Sequence, residues 1–132
     1  MSKAGTDIWS EVTTSGDAPD ARQLHTAVTW VDPSNDEPKM TVFGGNDGTY
    51  KNDVHILNLV TGAWSEVTTS GDAPTARYGY TAVSWIDPNT YSINMTVFGG
   101  YDGAMKNDVY TLLLMTMPSI RRPKGVVLCG KC

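Results

Sequence analysis

The chain has 132 residues, 40% of them hydrophobic, with 14 acidic against 10 basic residues and a formal net charge of −4. That length fills one ordinary domain, and the acidic balance argues against a phosphate backbone, hence against nucleic acid, as partner. No apolar run approaches the roughly 20 residues that cross a bilayer as a helix, so no membrane association is expected.

Residues 1–7 read as an N-terminal extension without a secretory apolar stretch, which points to a cytoplasmic chain. Ile8 to Thr13 reads as a short strand, and a loop rich in Ser, Gly, Asp and Pro follows. The next strand is expected over His25 to Val31, rich in β-branched residues and Trp. Asp32-Pro33 opens a turn, with proline fixing φ. Lys39 to Phe43 is a further strand, ended by Gly44-Gly45, where a side chain would obstruct a tight backbone path. Asp53 to Val60 is a third, Thr61-Gly62 a hairpin turn, and Trp64 to Thr68 a fourth.

Everything then repeats. Trp9 to Pro19 returns as Trp64 to Pro74, Met40 to Gly45 as Met95 to Gly100, and Lys51 to Val54 as Lys106 to Val109, all at an offset of 55 residues and without a gap. The copied first strand is Tyr80 to Ile86. A period of about 50 residues marks an architecture in which one unit cannot bury its own apolar face. The units divide the chain into 8–62, 63–114 and a tail, 115–132. Every acidic residue lies at or before Asp108, whereas Arg121, Arg122, Lys124 and Lys131 crowd the tail. The tail reads as a truncated or mis-spliced end, or else as a genuine basic appendage. Cys129 and Cys132 are half of a zinc or redox motif with no second half, and a frayed end suits them better. Asn94-Met95-Thr96 matches a glycosylation sequon but falls in an expected strand and is discounted.

Four antiparallel strands per unit, repeated, is the pattern of a propeller blade. The motifs Pro19-x-x-Arg22-x-x-His25, Val42-Phe43-Gly44-Gly45, Asn52-Asp53-Val54-x-x-Leu57 and Trp64 resemble the kelch repeat. The second copy has Pro74-x-x-Arg77-x-x-Tyr80, Val97-Phe98-Gly99-Gly100 and Asn107-Asp108-Val109-x-x-Leu112, but no closing Trp. The resemblance implies an all-β fold: two four-stranded antiparallel blades of a kelch-type β-propeller, incomplete as a single chain, since such rings hold about five to seven blades. The leading strand lacks its first three partners and the second unit lacks its fourth, so another chain could fill the vacancy. A four-stranded face covers roughly 330 Å². Leaving it wet forfeits on the order of 8 kcal/mol, comparable with a domain's whole stability of about 5–15 kcal/mol. Self-association into a homo-oligomer that completes the ring, or a fragment deprived of its neighbours, follows as an expectation.

Because strands alternate in direction, the inter-blade loop and the loop after the second strand open on one face. The copies differ there: Gln23, Leu24 and His25 become Tyr78, Gly79 and Tyr80, while Asn46, Thr49 and Tyr50 become Tyr101, Ala104 and Met105. Arg22, Gln23, His25, Asn46, Tyr50, Arg77, Tyr78, Tyr80, Tyr101 and Met105 are the candidate partner-binding residues, being rich in the aromatics and Arg that anchor interfaces. Arg22 and Arg77 recur unchanged and have a structural alternative, bonding loop carbonyls or Asp. Asn52-Asp53 and Asn107-Asp108 are expected to cap the turn into the third strand, and the four tryptophans to pack between blades. His25 and His55 lack companion ligands, so no metal is assigned, and no cofactor. The acidic residues mainly obey the repeat, whereas a catalytic centre breaks it. The reading is a non-enzymatic scaffold binding a protein or peptide through its inter-blade loops. The alternatives are a piece of a larger kelch-type enzyme or specifier-like propeller, and a truncated product without function.

Overall fold

The computed structural model describes residues 5–117; the expectations for the tail and its two cysteines lie outside them. The elements are β1 (Ser15–Gly16), β2 (Thr26–Asp32), β3 (Glu37–Asn46), β4 (Tyr50–Asn58), β5 (Ala63–Val67), β6 (Thr81–Ile86), β7 (Ile93–Tyr101) and β8 (Met105–Met115). They form two sheets, ordered β1-β5-β4-β3-β2 and β6-β7-β8. All pairings are antiparallel except the two-residue β1, which runs parallel to β5. The architecture is all-β: two blade-like sheets side by side, not closed into a ring.

The expected strands form with longer reach around the glycine pair. β3 continues through Gly44-Gly45 to Asn46, and its pairing with β4 slips at that point. The same slip recurs at Gly99-Gly100. The irregularity lets both strands run on to the loop end of the blade, a β-bulge re-aiming the chain. A Cβ on Gly45 would stand 2.8 Å from the Gln23 carbonyl oxygen, and Gly45 has φ +101, so only glycine fits there.

The leading strand differs from expectation. Ile8 to Thr13 belongs to no sheet, and Trp9 is 99% exposed. The reason lies in connectivity. β5 completes the first blade, and the loop after it leads to the neighbouring blade. By the 55-residue offset, Ile8 to Thr13 holds the place of a fourth strand on the side of β2–β5 away from β6–β8, and no strand among the described residues lies there. Trp9 therefore packs against nothing among the described residues, whereas Trp30 is buried with Nε1 donating to Thr41 Oγ1 (2.9 Å) and Trp64 meets His55 edge-on, both contacts lying within the first blade. Trp85, with Nε1 donating to Thr96 Oγ1 (2.8 Å) within the second blade, is 40% exposed, so the expected packing of all four tryptophans between blades does not hold.

The core lies between the blades. Val28, Phe43 and Val54 from one face of the first blade meet Tyr80, Met95 and Val97 of the second, with Val67, Ala82, Leu112 and Leu114 at the margin. The innermost strands β2 and β6 run alongside each other, joined by Thr26 Oγ1 donating to the Tyr80 carbonyl (3.1 Å) and Ser84 Oγ to the Thr29 carbonyl (2.7 Å). A cavity of about 60 Å³ remains between the sheets, bordered by Phe43, Val54, Met95 and Tyr110. No helix among the described residues is long and apolar enough to cross a membrane.

Candidate functional site

One end of the sheets gathers the two inter-blade segments, 17–25 and 68–80, with the β3–β4 and β7–β8 turns. Backbone bridges fix this arrangement: Gln23 pairs with Asn46 in the first copy and Tyr78 with Tyr101 in the second. The blades are stitched across the same end by Gly45 N–H to the Arg77 carbonyl (3.0 Å), Arg77 N–H to the Lys51 carbonyl (3.0 Å) and Gly79 N–H to the Leu24 carbonyl (3.1 Å). The loops thus hang on a framework of main-chain bonds.

Arginine underpins each loop from inside. Arg22 Nη1 and Nη2 donate to the two carboxylate oxygens of Asp53 at 2.6 and 2.9 Å, and Nη1 also donates to the Gly44 carbonyl at 3.0 Å. Arg77 repeats the arrangement on Asp108, at 2.6 and 3.1 Å, and on the Gly99 carbonyl at 3.0 Å. These bidentate bonds pull Asp53 and Asp108 below the ordinary carboxylate range and push the arginines up. The fork neutralises the charge and satisfies a carbonyl that the glycine bulge leaves without a ladder partner. Arg22 and Arg77 are therefore occupied by the fold, the structural alternative. Asp53 and Asp108 lie within β4 and β8 as counter-ions and do not cap a turn, because the bulge moves the turn back to Asp47–Thr49. There Asp47 accepts the Thr49 N–H at 3.1 Å and Lys51 Nζ at 3.0 Å. Lys51 first, then Thr49, brings the exposed Asp47 carboxyl down to about 2.

Tyr80 also works inside. Its ring is buried against Phe43, with centroids 5.2 Å apart, and its hydroxyl donates to the Phe43 carbonyl. Burial pushes this phenol up to about 12. In the first copy the equivalent His25 is exposed on the loop end.

The remaining expected residues come to the surface together. Tyr50, Tyr78 and Tyr101 form one cluster, with ring centroids 5.1 Å apart for Tyr50–Tyr78, 5.5 Å for Tyr78–Tyr101 and 6.2 Å for Tyr50–Tyr101. The contacts are tilted or edge-on, the geometry aromatic quadrupoles favour. The cluster spans both blades, since Tyr50 begins β4 while Tyr78 and Tyr101 belong to the second unit. Met105 stands across the turn from Tyr101 and is 91% exposed. Gln23 and His25 are exposed and Asn46 half-buried beside them. Leu24, which was not among the expected binding residues, is also exposed and holds φ +56 where the second copy has Gly79. That glycine was the available signal for a left-handed position.

Among the described residues no group of three or more His, Cys, Asp or Glu converges as a metal site. Two pairs of repeated carboxylates are bonded to cations: Asp53 and Asp108 to arginine, Asp47 and Asp102 to Lys51 and Lys106.

The family that matches residues 2–125 is the KLHDC2/KLHL20/DRC7 Kelch-repeats domain. Among curated relatives, human host cell factor 2 is 37% identical over 93 residues, covering 70% of this chain and 11% of that protein. Human host cell factor 1 is 31% identical over 106 residues, covering 80% of this chain and 5% of that protein. Acyl-CoA-binding domain-containing protein 4 of Arabidopsis thaliana is 30% identical over 126 residues, 92% of this chain and 17% of that protein. The chain thus spans a small part of the length of the relatives it matches. With both copies of the repeat inside the matched residues and the bulged, arginine-braced blades they encode, the chain belongs to the kelch-repeat family.

Proposed function

We propose that this chain is a non-enzymatic protein-interaction module whose loop end holds a peptide or protein segment on the Tyr50–Tyr78–Tyr101 cluster. The observation that carries this reading is the cluster itself: three phenol rings from two blades in contact with one another outside the hydrophobic core, Tyr50 exposed and Tyr78 and Tyr101 half-buried. Tyrosines offer large amphipathic contact area at small entropic cost, the profile of an interface anchor. Exposed Met105 and Leu24 add adaptable apolar area on the same end. Gln23, His25 and Asn46 supply hydrogen-bonding groups around it. Arg22, Arg77 and Tyr80 serve this surface indirectly, by fixing the loops that carry it.

Kelch-repeat relatives support an interaction role at the level of the family. The engagement of Asp47, Asp53, Asp102 and Asp108 with cations also weighs against a free acid/base pair. The test is selection from a random displayed-peptide library on the full chain, followed by titration of enriched peptides against Tyr78→Ala and Tyr50→Ala. Enrichment of a related peptide set whose affinity falls about tenfold or more in either variant is the expected result, the size of one lost aromatic anchor. No enrichment, or affinity unchanged in both variants, contradicts it.

A further inference from the structure

Three observations outside the loop end converge. Ile8 to Val12 copies the residues of β5 at the 55-residue offset, yet it pairs with no strand, and Ile8, Trp9 and Val12 are all exposed. β8 copies β4, the strand on which β5 lies, yet among the described residues β8, 11 residues long, is the edge of its sheet. The face of β6–β8 turned away from the first blade exposes Val83, Phe98 and Val109, whereas their copies Val28, Phe43 and Val54 are buried.

We propose that a second copy of this chain adds its Ile8–Val12 segment as an antiparallel fourth strand to the edge of β8 that no described strand occupies. Main-chain hydrogen bonds along an exposed edge give affinity, and alternate side chains give register. The register follows from the first blade. There Val54 faces Val67, Ile56 faces Ser65 and Leu57 faces Trp64. Shifted by the repeat, Val109 faces Val12, Thr111 faces Ser10 and Leu112 faces Trp9 of the incoming copy. The connection that follows the added strand carries that copy's first blade over Val83, Phe98 and Val109. In the same way residues 68–80 carry β6–β8 over Val28, Phe43 and Val54.

The occupant is a second copy rather than the chain's own leading segment because of where that segment emerges. It precedes the connection into β2, so it serves a blade on the far side of β2–β5 from β8. The contact is heterologous, and copies add head to tail.

The test uses the full chain with Cys129→Ser and Cys132→Ser. Ser10→Cys alone and Thr111→Cys alone are made in that background, mixed and mildly oxidised. Directly opposed strand residues lie about 4.5–5.5 Å apart between Cα atoms, within reach of a disulfide. The expected product is the mixed disulfide joining the Ser10→Cys chain to the Thr111→Cys chain, several-fold in excess of either chain's own homodimer. Light scattering is expected to give a mass that rises with concentration to multiples of 14.3 kDa and reverts to the monomer in Trp9→Ala. Because Trp9 is 99% exposed and belongs to no sheet among the described residues, this variant keeps its fold. A monomeric mass at every concentration overturns the proposal. So does association that Trp9→Ala leaves intact, or one that yields no mixed disulfide.

Discussion

Val28 and Val83 hold the same place in consecutive copies of one sequence, yet Val28 is 6% exposed and Val83 is 61% exposed. The strands around them carry nearly the same residues in the same register, Val28 opposite Thr41 and Val83 opposite Thr96. What differs is the neighbour. The second blade covers the first, and nothing within the described residues covers the second. Burial in this fold is a property of stacking, so the chemistry of one unit does not fix its own stability.

The arginine forks are the next most informative feature. Arg77→Lys should destabilise the chain almost as much as Arg77→Ala, since an ammonium cannot reproduce two parallel bonds to Asp108 together with one to the Gly99 carbonyl. Breaking one partner of a buried pair costs about 3–5 kcal/mol. Because the Asp108 side chain keeps a third of its surface in water, about 2–4 kcal/mol is expected here. Urea unfolding followed by tryptophan fluorescence measures it.

Acid should unfold the protein through the same pairs. Asp53 and Asp108 are held below the ordinary carboxylate value, chiefly by hydrogen bonds from Arg22 and Arg77. A carboxyl whose folded pKa lies below its unfolded value adds stability above the unfolded pKa and loses it as pH falls through the folded one. Urea midpoints should therefore stay level from neutral pH to about 5 and decline below about 4, the unfolded carboxyl value. In Asp108→Asn the neutral-pH midpoint should drop and the decline below about pH 4 should become shallower. An unaltered slope would assign the acid sensitivity to other carboxylates.

The glycine bulges should be far less tolerant than the turn tips. A Cβ on Gly100 would lie 2.9 Å from the Tyr78 carbonyl oxygen and from Tyr80 Cβ, whereas one on Gly103 meets nothing within 4 Å. Both have positive φ, so both alanine variants carry about 1–2 kcal/mol of backbone strain, and Gly100→Ala adds a steric term to it. Conversely, Leu24→Gly should cost little or stabilise by up to about 1 kcal/mol, because it relieves a left-handed leucine. Thermal melting of the three variants ranks them.

Tyr80 joins the blades by its ring and its hydroxyl. Tyr80→Phe keeps the ring against Phe43 but deprives the Phe43 carbonyl of a donor, with an expected loss of about 1 kcal/mol. In an ultraviolet pH titration of the wild type, one phenol should ionise near 12, and that step should vanish in Tyr80→Phe.

Much of this was legible in the repeat. The β-branched residues and Trp of Thr26–Asp32 and its copy, bounded by turn residues, place the strands, because such side chains fit a pleated, half-buried sheet. The constant spacing from Arg22 to Asp53 and from Arg77 to Asp108 marks a structural pair once two copies can be compared. Other features were not legible. The run of β3 through Gly44-Gly45 depends on a slipped register that glycine permits but does not announce. Ile8 to Thr13 nearly repeats the residues of β5, but a strand exists only with a partner, and sequence alone does not say which edge lies within reach. The tyrosine cluster arises because Tyr50 and Tyr78 converge from different blades, a relation set by how the blades stack.

The most direct test of inter-blade stacking as the source of stability compares Phe43→Ala with Phe98→Ala, two copies of one residue. Phe43 is 4% exposed between the blades and Phe98 is 52% exposed on the outer face. In urea unfolding at concentrations where the chain is monomeric, Phe43→Ala should cost about 3–5 kcal/mol and Phe98→Ala less than about 1 kcal/mol, a surface-like effect. Equal costs for the two substitutions would contradict the account.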